Sequence, residues 1–232
     1  MNLEISNFKA LSLKIYKQIE MKMDVKNLSD YERLLKTHSH QNTDAAHDLS
    51  HVKRVVKNAL EIQSKEGGNK SVIEAASWFH DLVNYPKDHP DRALASRRSA
   101  EAARDILKNT SFSDEDLDRI AHAIEAHSFS ADINPDTLEA RIVQDADRLD
   151  SLGAIGIART FSVCGNLNRT LFDPDDPFAM SRPLDDKAFG LDHFEIKLFR
   201  IAETLHTKTA QTIARRRINF MRQFMKQLEH EV

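Results

Sequence analysis

Glycine and proline occur only six times each in 232 residues, and that scarcity constrains the fold more than any other feature of the chain. Short strands need frequent turns, turns draw on Gly and Pro, and a chain poor in both favours long helices. The patterning agrees: apolar residues recur at helical spacing along most of the sequence, and no stretch alternates apolar and polar side chains over a strand's length. The expected class is all-α. With 41% hydrophobic and 30% charged residues, the composition is that of a globular chain, neither disordered nor membrane-spanning, and long enough for a substantial core.

Along the chain, Leu3, Phe8, Leu11, Ile15 and Ile19 predict an amphipathic helix, so residues 1–28 read as an extension docked on a single domain of residues 29–232. Ser29 or Asp30 caps a short helix to about Thr37, and His38 to Thr43 forms a loop. Asp44 opens the next helix, whose stripe of Val52, Val55, Val56, Ala59 and Leu60 ends at Gly67-Gly68. Ser71 and Glu74 form a capping box, so a helix begins at Val72 and carries Ala75, Ala76, Trp78, Phe79 and Leu82. It should stop around Asn84, because Pro86 disfavours a helical Tyr85. Helices follow over Ala93 to Leu107 and, behind a cap at Ser113 with Asp116, over Leu117 to Ala126. Leu138, Ile142, Val143, Ala146 and Leu149 mark a buried helix whose character continues through Leu152, Ile155, Ile157 and Phe161. Asn166 to Lys187, with three Pro and five Asp, is the longest irregular segment, which suits a lid or a partner contact. Helices over Leu191 to Leu205 and Lys208 to Glu229 close the chain.

A formal net charge of -3 argues against a protein that coats a nucleic-acid polymer and points to a small polyanion instead. Cys164 is the single cysteine, so no intramolecular disulfide forms, a cytoplasmic setting is expected, and the residue reads as a small core side chain. Glu4, Lys9 and Lys14 interrupt the apolar positions of the N-terminus, so no signal peptide is expected, and no apolar run is long enough to cross a membrane.

The chemistry concentrates at Trp78-Phe79-His80-Asp81, where two apolar residues run into two metal-capable ones. With 11 His in the chain the dipeptide carries little weight alone, and His47-Asp48 is a second example. His47 and His51, four apart, share a helical face, but the general-base Glu of a His-Glu-x-x-His peptidase motif is missing. The set gains weight from its spread: His51 on one helix, His80 and Asp81 on a second, Asp147 on a third, each beside an apolar stripe. Two nitrogens and two oxygens suit one divalent ion such as Mn, Fe, Co, Ni or Zn, with Mg possible.

That order of His, His-Asp and Asp on successive helices resembles the HD-domain superfamily of metal-dependent phosphohydrolases. The likeness extends to His47-Asp48-Leu49-Ser50-His51-Val52-Lys53-Arg54-Val55, to Phe79-His80-Asp81, and to Ile124-Glu125-Ala126-His127-Ser128-Phe129-Ser130. It also takes in the run from Gln144 to Gly156 and Arg182-Pro183-Leu184-Asp185-Asp186-Lys187, all similar to a bacterial YedJ-like branch. The resemblance runs from about Ser29 to the C-terminus and implies a helical bundle with additional C-terminal helices. It places the metal ligands at His51, His80, Asp81 and Asp147. Asp145 lies about 200° around the helix from Asp147, so Asp145 and Asp150 read as helix-end or Arg-pairing residues. Asn84 and Tyr85 stand where alarmone hydrolases carry two acidic residues, which argues against that activity. His122 and His127, about 140° apart on one helix, do not both reach one site, which favours one metal.

The activity implied is hydrolysis of a phosphoester or phosphoanhydride, with a nucleotide as the substrate class. Asp81 and His127 are the catalytic candidates, His127 as proton donor or phosphate contact. Lys87, Arg148 and Lys197 are candidates for binding substrate phosphate. Two alternatives stand beside this: a non-catalytic, metal- and nucleotide-binding regulatory module, and a purely structural metal. The irregular segment and the last helix are candidate surfaces for a partner or a homodimer.

Overall fold

The structure, a computed structural model, describes residues 28–38, 48–85 and 89–232. The expected N-terminal helix, the loop up to Thr43, Asp44, His47 and Lys87 lie outside the described residues.

The described chain is helical: α1 (Leu28–His38), α2 (Leu49–Glu66), α3 (Lys70–Phe79), α4 (Ala95–Leu107), α5 (Asp114–His127), α6 (Leu138–Asp150), α7 (Gly153–Asn166) and α8 (Lys208–Glu229). An isolated bridge pairs Thr170 with Phe189. No described helix is long and apolar enough to cross a membrane.

Several helix ends differ from the expected ones, and each difference has a local cause. Asp48 is extended at φ -80°, ψ 175°, and its side chain accepts from the His51 amide as the N-cap of α2. The helix therefore starts at Leu49 rather than Asp44, and His51 falls in its first turn. The N-cap of α3 is Asn69, which accepts from the Ser71 and Val72 amides, two residues before the expected Ser71. Asn69 wins because its neighbours hold it: its amide donates to Glu139 at 2.8 Å and its side chain to Asp116 at 3.3 Å. The same helix ends at Phe79 rather than near Asn84, and the chain turns because Val83 pairs through both its amide and its carbonyl with the buried Ser99 hydroxyl.

Ser113 caps α5 as expected, and Thr137 caps α6. Helicity does not run on unbroken from α6: Leu152 is extended and Gly153, at φ +76°, starts α7 in a conformation costly to any side chain. The helix expected over Leu191 to Leu205 is broken into a π-helical turn, Phe194–Leu198, a short α-turn, Phe199–Ile201, and a 3-10 turn, Ala202–Thr204.

At the centre is α3, which packs against α1, α2, α4, α5 and α6. Nearly every side chain from Val72 to Phe79 is buried, with Glu74 the partial exception. Fully burying a residue such as Phe79 is worth about 1.5–3 kcal/mol. Tyr31 of α1 stacks on Trp78 and meets Phe79 edge-on, so the C-terminal end of α3 is held on both sides. The long α8 closes the bundle against α2, α6 and α7.

Candidate metal centre

Three elements converge where α3 ends. His51 enters from the first turn of α2, His80 and Asp81 from the turn after α3, and Asp147 from the last turn of α6, while His127, the final residue of α5, completes the ring. His51 and His80 have no solvent exposure, and His127 has 7%.

Each imidazole has its Nδ1 committed to an oxygen acceptor. His51 Nδ1 donates to Asp150 Oδ2 at 2.8 Å, His80 Nδ1 to the Ser77 carbonyl at 2.8 Å, and His127 Nδ1 to the Ile124 carbonyl at 2.6 Å. In the neutral rings, Nε2 is then a bare lone pair. Yet His51 Nε2 and His80 Nε2 stand 3.2 Å apart, a repulsive contact unless a proton or a cation sits between them. Asp81 Oδ2 is 3.6 Å from both nitrogens, and Asp147 Oδ1 is 3.5 Å from His51 Nε2 and 4.0 Å from His80 Nε2. His127 Nε2 is 3.5 Å from Asp81 Oδ1. Such separations are long for hydrogen bonds but close to the ~3.0–3.5 Å between ligands that share a small ion at about 2.1 Å. The donor set therefore fits a divalent cation.

The electrostatics point the same way. Burial pushes the His80 pKa down to about 4, so this ring is neutral and its nitrogen can ligate. Burial also opposes charge on His51, but the Asp150 hydrogen bond and the nearby Asp81 and Asp147 carboxylates prevail and raise it to about 9. His127 is raised despite its burial by the Asp81 carboxylate. Asp81 stays well below the usual carboxylate range against the cost of burial, held there by the ring of imidazoles of His80, His127 and His51 around it. Without an ion, the carboxylates draw a proton onto His51. A cluster of this composition favours positive charge among its carboxylates.

Asp150 supports this arrangement from behind. It is 2% exposed, and besides His51 it accepts from Arg54 Nε at 2.7 Å and Arg159 Nη1 at 2.7 Å. The Arg pairing expected of it is present, and its grip on His51 is an addition. Asp145 is neither a solvated helix-end residue nor an Arg partner. It is fully buried and accepts from the amides of His206 and Thr207 and from the Thr207 hydroxyl, joining α6 to the start of α8.

Asp81, His127 and Asp147 open onto a cleft of about 430 Å³. Lys197 lines it, as do Arg92, Arg159 and Arg169, three cations that no sequence motif marks. Arg148 lines a neighbouring groove instead and donates to the Thr204 carbonyl at 2.6 Å. His122 is turned away from the cluster, its Nε2 accepting from the Asp136 amide at 3.2 Å, which agrees with a single His of that pair reaching the site.

The fold and the His/Asp cluster define an HD-domain protein, and the family model described as HD domain matches residues 48–152. The chain belongs to the HD-domain superfamily. It is 34% identical over 192 residues to the uncharacterized protein YpgQ of Bacillus subtilis (strain 168), covering 81% of this chain and 85% of YpgQ. Among solved structures, the crystal structure of YpgQ in complex with ADP superposes with a TM-score of 0.68 at 31% identity, over 87% of this chain and 97% of that one. An HD-superfamily hydrolase from Bacillus thuringiensis matches with a TM-score of 0.66 at 31% identity, over 88% and 96% of the two chains. The Lin1889 protein of Listeria innocua matches at 36% identity with a TM-score of 0.62, over 86% and 95%.

Proposed function

We propose that the protein is a metal-dependent phosphohydrolase of the YedJ-like branch, cleaving a phosphoester or phosphoanhydride bond in a nucleotide. The observation that carries this reading is the pair of Nε2 atoms on His51 and His80, 3.2 Å apart with both Nδ1 hydrogens already committed. His51, His80, Asp81 and Asp147 would hold one divalent ion, Mn, Fe, Co, Ni or Zn being favoured by the two imidazoles. When bound, such an ion lowers the pKa of water and neutralises charge on phosphoryl oxygens.

The chain's own residues supply the rest. Asp150 and Ser77 fix the tautomers of His51 and His80, so that both present Nε2 to the same point. Asp81 acts as ligand and as the residue that orients His127, whose Nε2 faces it at 3.5 Å. His127 then contacts the phosphoryl group or passes it a proton. Lys197 on the cleft wall meets substrate phosphate, with Lys87 and Arg148 as outer contacts. That YpgQ was crystallised with ADP supports a nucleotide as the ligand. We assign this activity to residues 29–232, with residues 1–28 as an extension.

Elemental analysis of the purified protein, followed by a nucleotide panel scored separately for phosphate and pyrophosphate under several added divalent ions, tests the reading. Ion-dependent release of either product, abolished by chelator, is expected. Bound ion and bound ADP with no turnover across the panel would replace it with the regulatory-module alternative.

A further inference from the structure

A second imidazole–carboxylate pair lies in the same cleft, on the wall formed by residues 186–198. His193 Nδ1 donates to Asp186 Oδ2 at 2.8 Å, and both residues line the cleft onto which Asp81 and Asp147 open. The segment that carries them lacks regular structure, yet it is firmly held. Asp192, 2% exposed, accepts from both terminal nitrogens of Arg182, at 2.6 and 2.9 Å, and from the Asp185 amide at 2.7 Å. The amides of Gly190 and Leu191 donate to the carbonyls of Thr170 and Leu171, and Arg169 donates to the Asp186 carbonyl at 2.9 Å. A Cβ at Gly190 would stand 2.5 Å from Cys164 Sγ, so only glycine lets this segment lie against α7.

Directly after His193 comes the π-helical turn Phe194–Leu198, which buries Phe194 and Leu198. Turns of this kind recur at functional sites. His193 and Lys197, four residues apart, both reach the cleft. A long irregular loop is thus braced around one histidine and its carboxylate, the kind of support that a working side chain needs and a solvated one does not.

The two imidazoles of the cleft differ in what they can do. His127 is 7% exposed and its Nε2 faces the Asp81 carboxylate, whereas the His193 side chain is 25% exposed. A carboxylate on Nδ1 fixes the orientation of the His193 ring, the arrangement in which an imidazole serves as a proton donor.

We propose that His193, positioned by Asp186, gives its Nε2 proton to the departing oxygen when the substrate's phosphorus–oxygen bond breaks; this rests on the phosphohydrolase reading above. Water oxygen bonds to phosphorus as the bond to the leaving group breaks. The leaving oxygen's electron pair takes the His193 proton, the attacking water's proton passes to solvent, and neutral His193 is reprotonated from solvent. His193 is the catalytic residue here and Asp186 the positioning residue.

Leaving-group dependence tests the proposal. Metal-loaded wild type and His193→Gln are compared on phenyl and p-nitrophenyl phosphate and on the matching aryl esters of a nucleoside 5′-phosphate. A general acid contributes about 10²–10⁴-fold, so the variant should lose about 100-fold or more on the phenyl esters. On the p-nitrophenyl esters, whose leaving group needs little proton, it should lose less than about tenfold. Added imidazole should restore part of the phenyl-ester activity of His193→Ala, and Asp186→Asn should show the same leaving-group bias at smaller size. Metal content and melting temperature identify any variant that fails to fold, in which case Asp186→Asn carries the comparison. Equal losses on both esters, or none, overturn the role of His193. A metal-loaded wild type inactive on every ester and nucleotide overturns the phosphohydrolase reading itself.

Discussion

His51 is gripped from behind by Asp150 and faces Asp81 and Asp147 in front, so its position depends on a residue that would not touch the ion. Outer partners of this kind typically carry about 10–100-fold in metal affinity, and Asp150→Asn should weaken Mn binding by that factor in a competition titration against a fluorescent chelator. Unchanged affinity would show that His51 is held by packing alone. The same carboxylate has a pH signature in the metal-free protein. Burial would raise its pKa, but hydrogen bonds from His51 and Arg54 bring it down from 3.8 to about 2. A depressed carboxylate stabilises the fold above its unfolded pKa and loses that contribution as pH falls toward the folded value. The melting temperature of the metal-free protein should therefore drop more steeply between about pH 4 and pH 2 in wild type than in Asp150→Asn; parallel slopes would contradict this. At this scale the candidate ligands were legible because His51, His80-Asp81 and Asp147 fall beside apolar stripes on successive helical segments, an order that resembles the HD-domain pattern. Asp150 was legible only as an Arg partner, since nothing local shows that a ring 99 positions away in the chain rests on it. His193 and Asp186 were hidden inside an irregular segment whose path depends on tertiary pairing.

Among the elements, α3 shows where local signals mislead. The sequence reads Ser71 as the cap because Glu74 completes a capping box, but the structure caps the helix at Asn69. Contacts to Glu139 and Asp116 from other helices decide for Asn69. Asn69→Ala should cost about 1 kcal/mol in chemical denaturation and Ser71→Ala no more than about 0.5 kcal/mol. The reverse order would restore the capping box. The early end of α3 has the same tertiary origin, in Ser99 of α4. It matters for function, because His80 and Asp81 lie in the turn beyond the helix rather than on it. Asp145 makes a comparable link between α6 and α8. Asp145→Ala leaves the His206 and Thr207 amides without their acceptor and should destabilise by about 1–3 kcal/mol, a loss that Asp147→Ala, at the open edge of the cleft, should not share in the metal-free protein.

For the whole molecule, the all-helical class followed from periodicity and from the shortage of Gly and Pro, and those properties survive any error of a few residues at helix ends. That α2, α3 and α6 meet was legible from their apolar stripes, each of which demands a partner. What periodicity could not supply was the path of residues 167–193, where three prolines, six aspartates and the part-buried Arg182–Asp192 pair replace regular hydrogen bonding. Because the cluster joins α2, α3 and α6, a bound ion stabilises the bundle as a unit. Mn at 100 times its dissociation constant should stabilise the protein by about 2.7 kcal/mol, read as a rise in melting temperature that chelator reverses.

The most direct measurement is metal stoichiometry and turnover on the same samples of wild type and Asp81→Ala, both shown to be folded by their melting transitions. One ion per chain with chelator-sensitive hydrolysis in wild type, and neither in Asp81→Ala, is the predicted result. An Asp81→Ala protein that keeps its ion and its full activity would contradict the account.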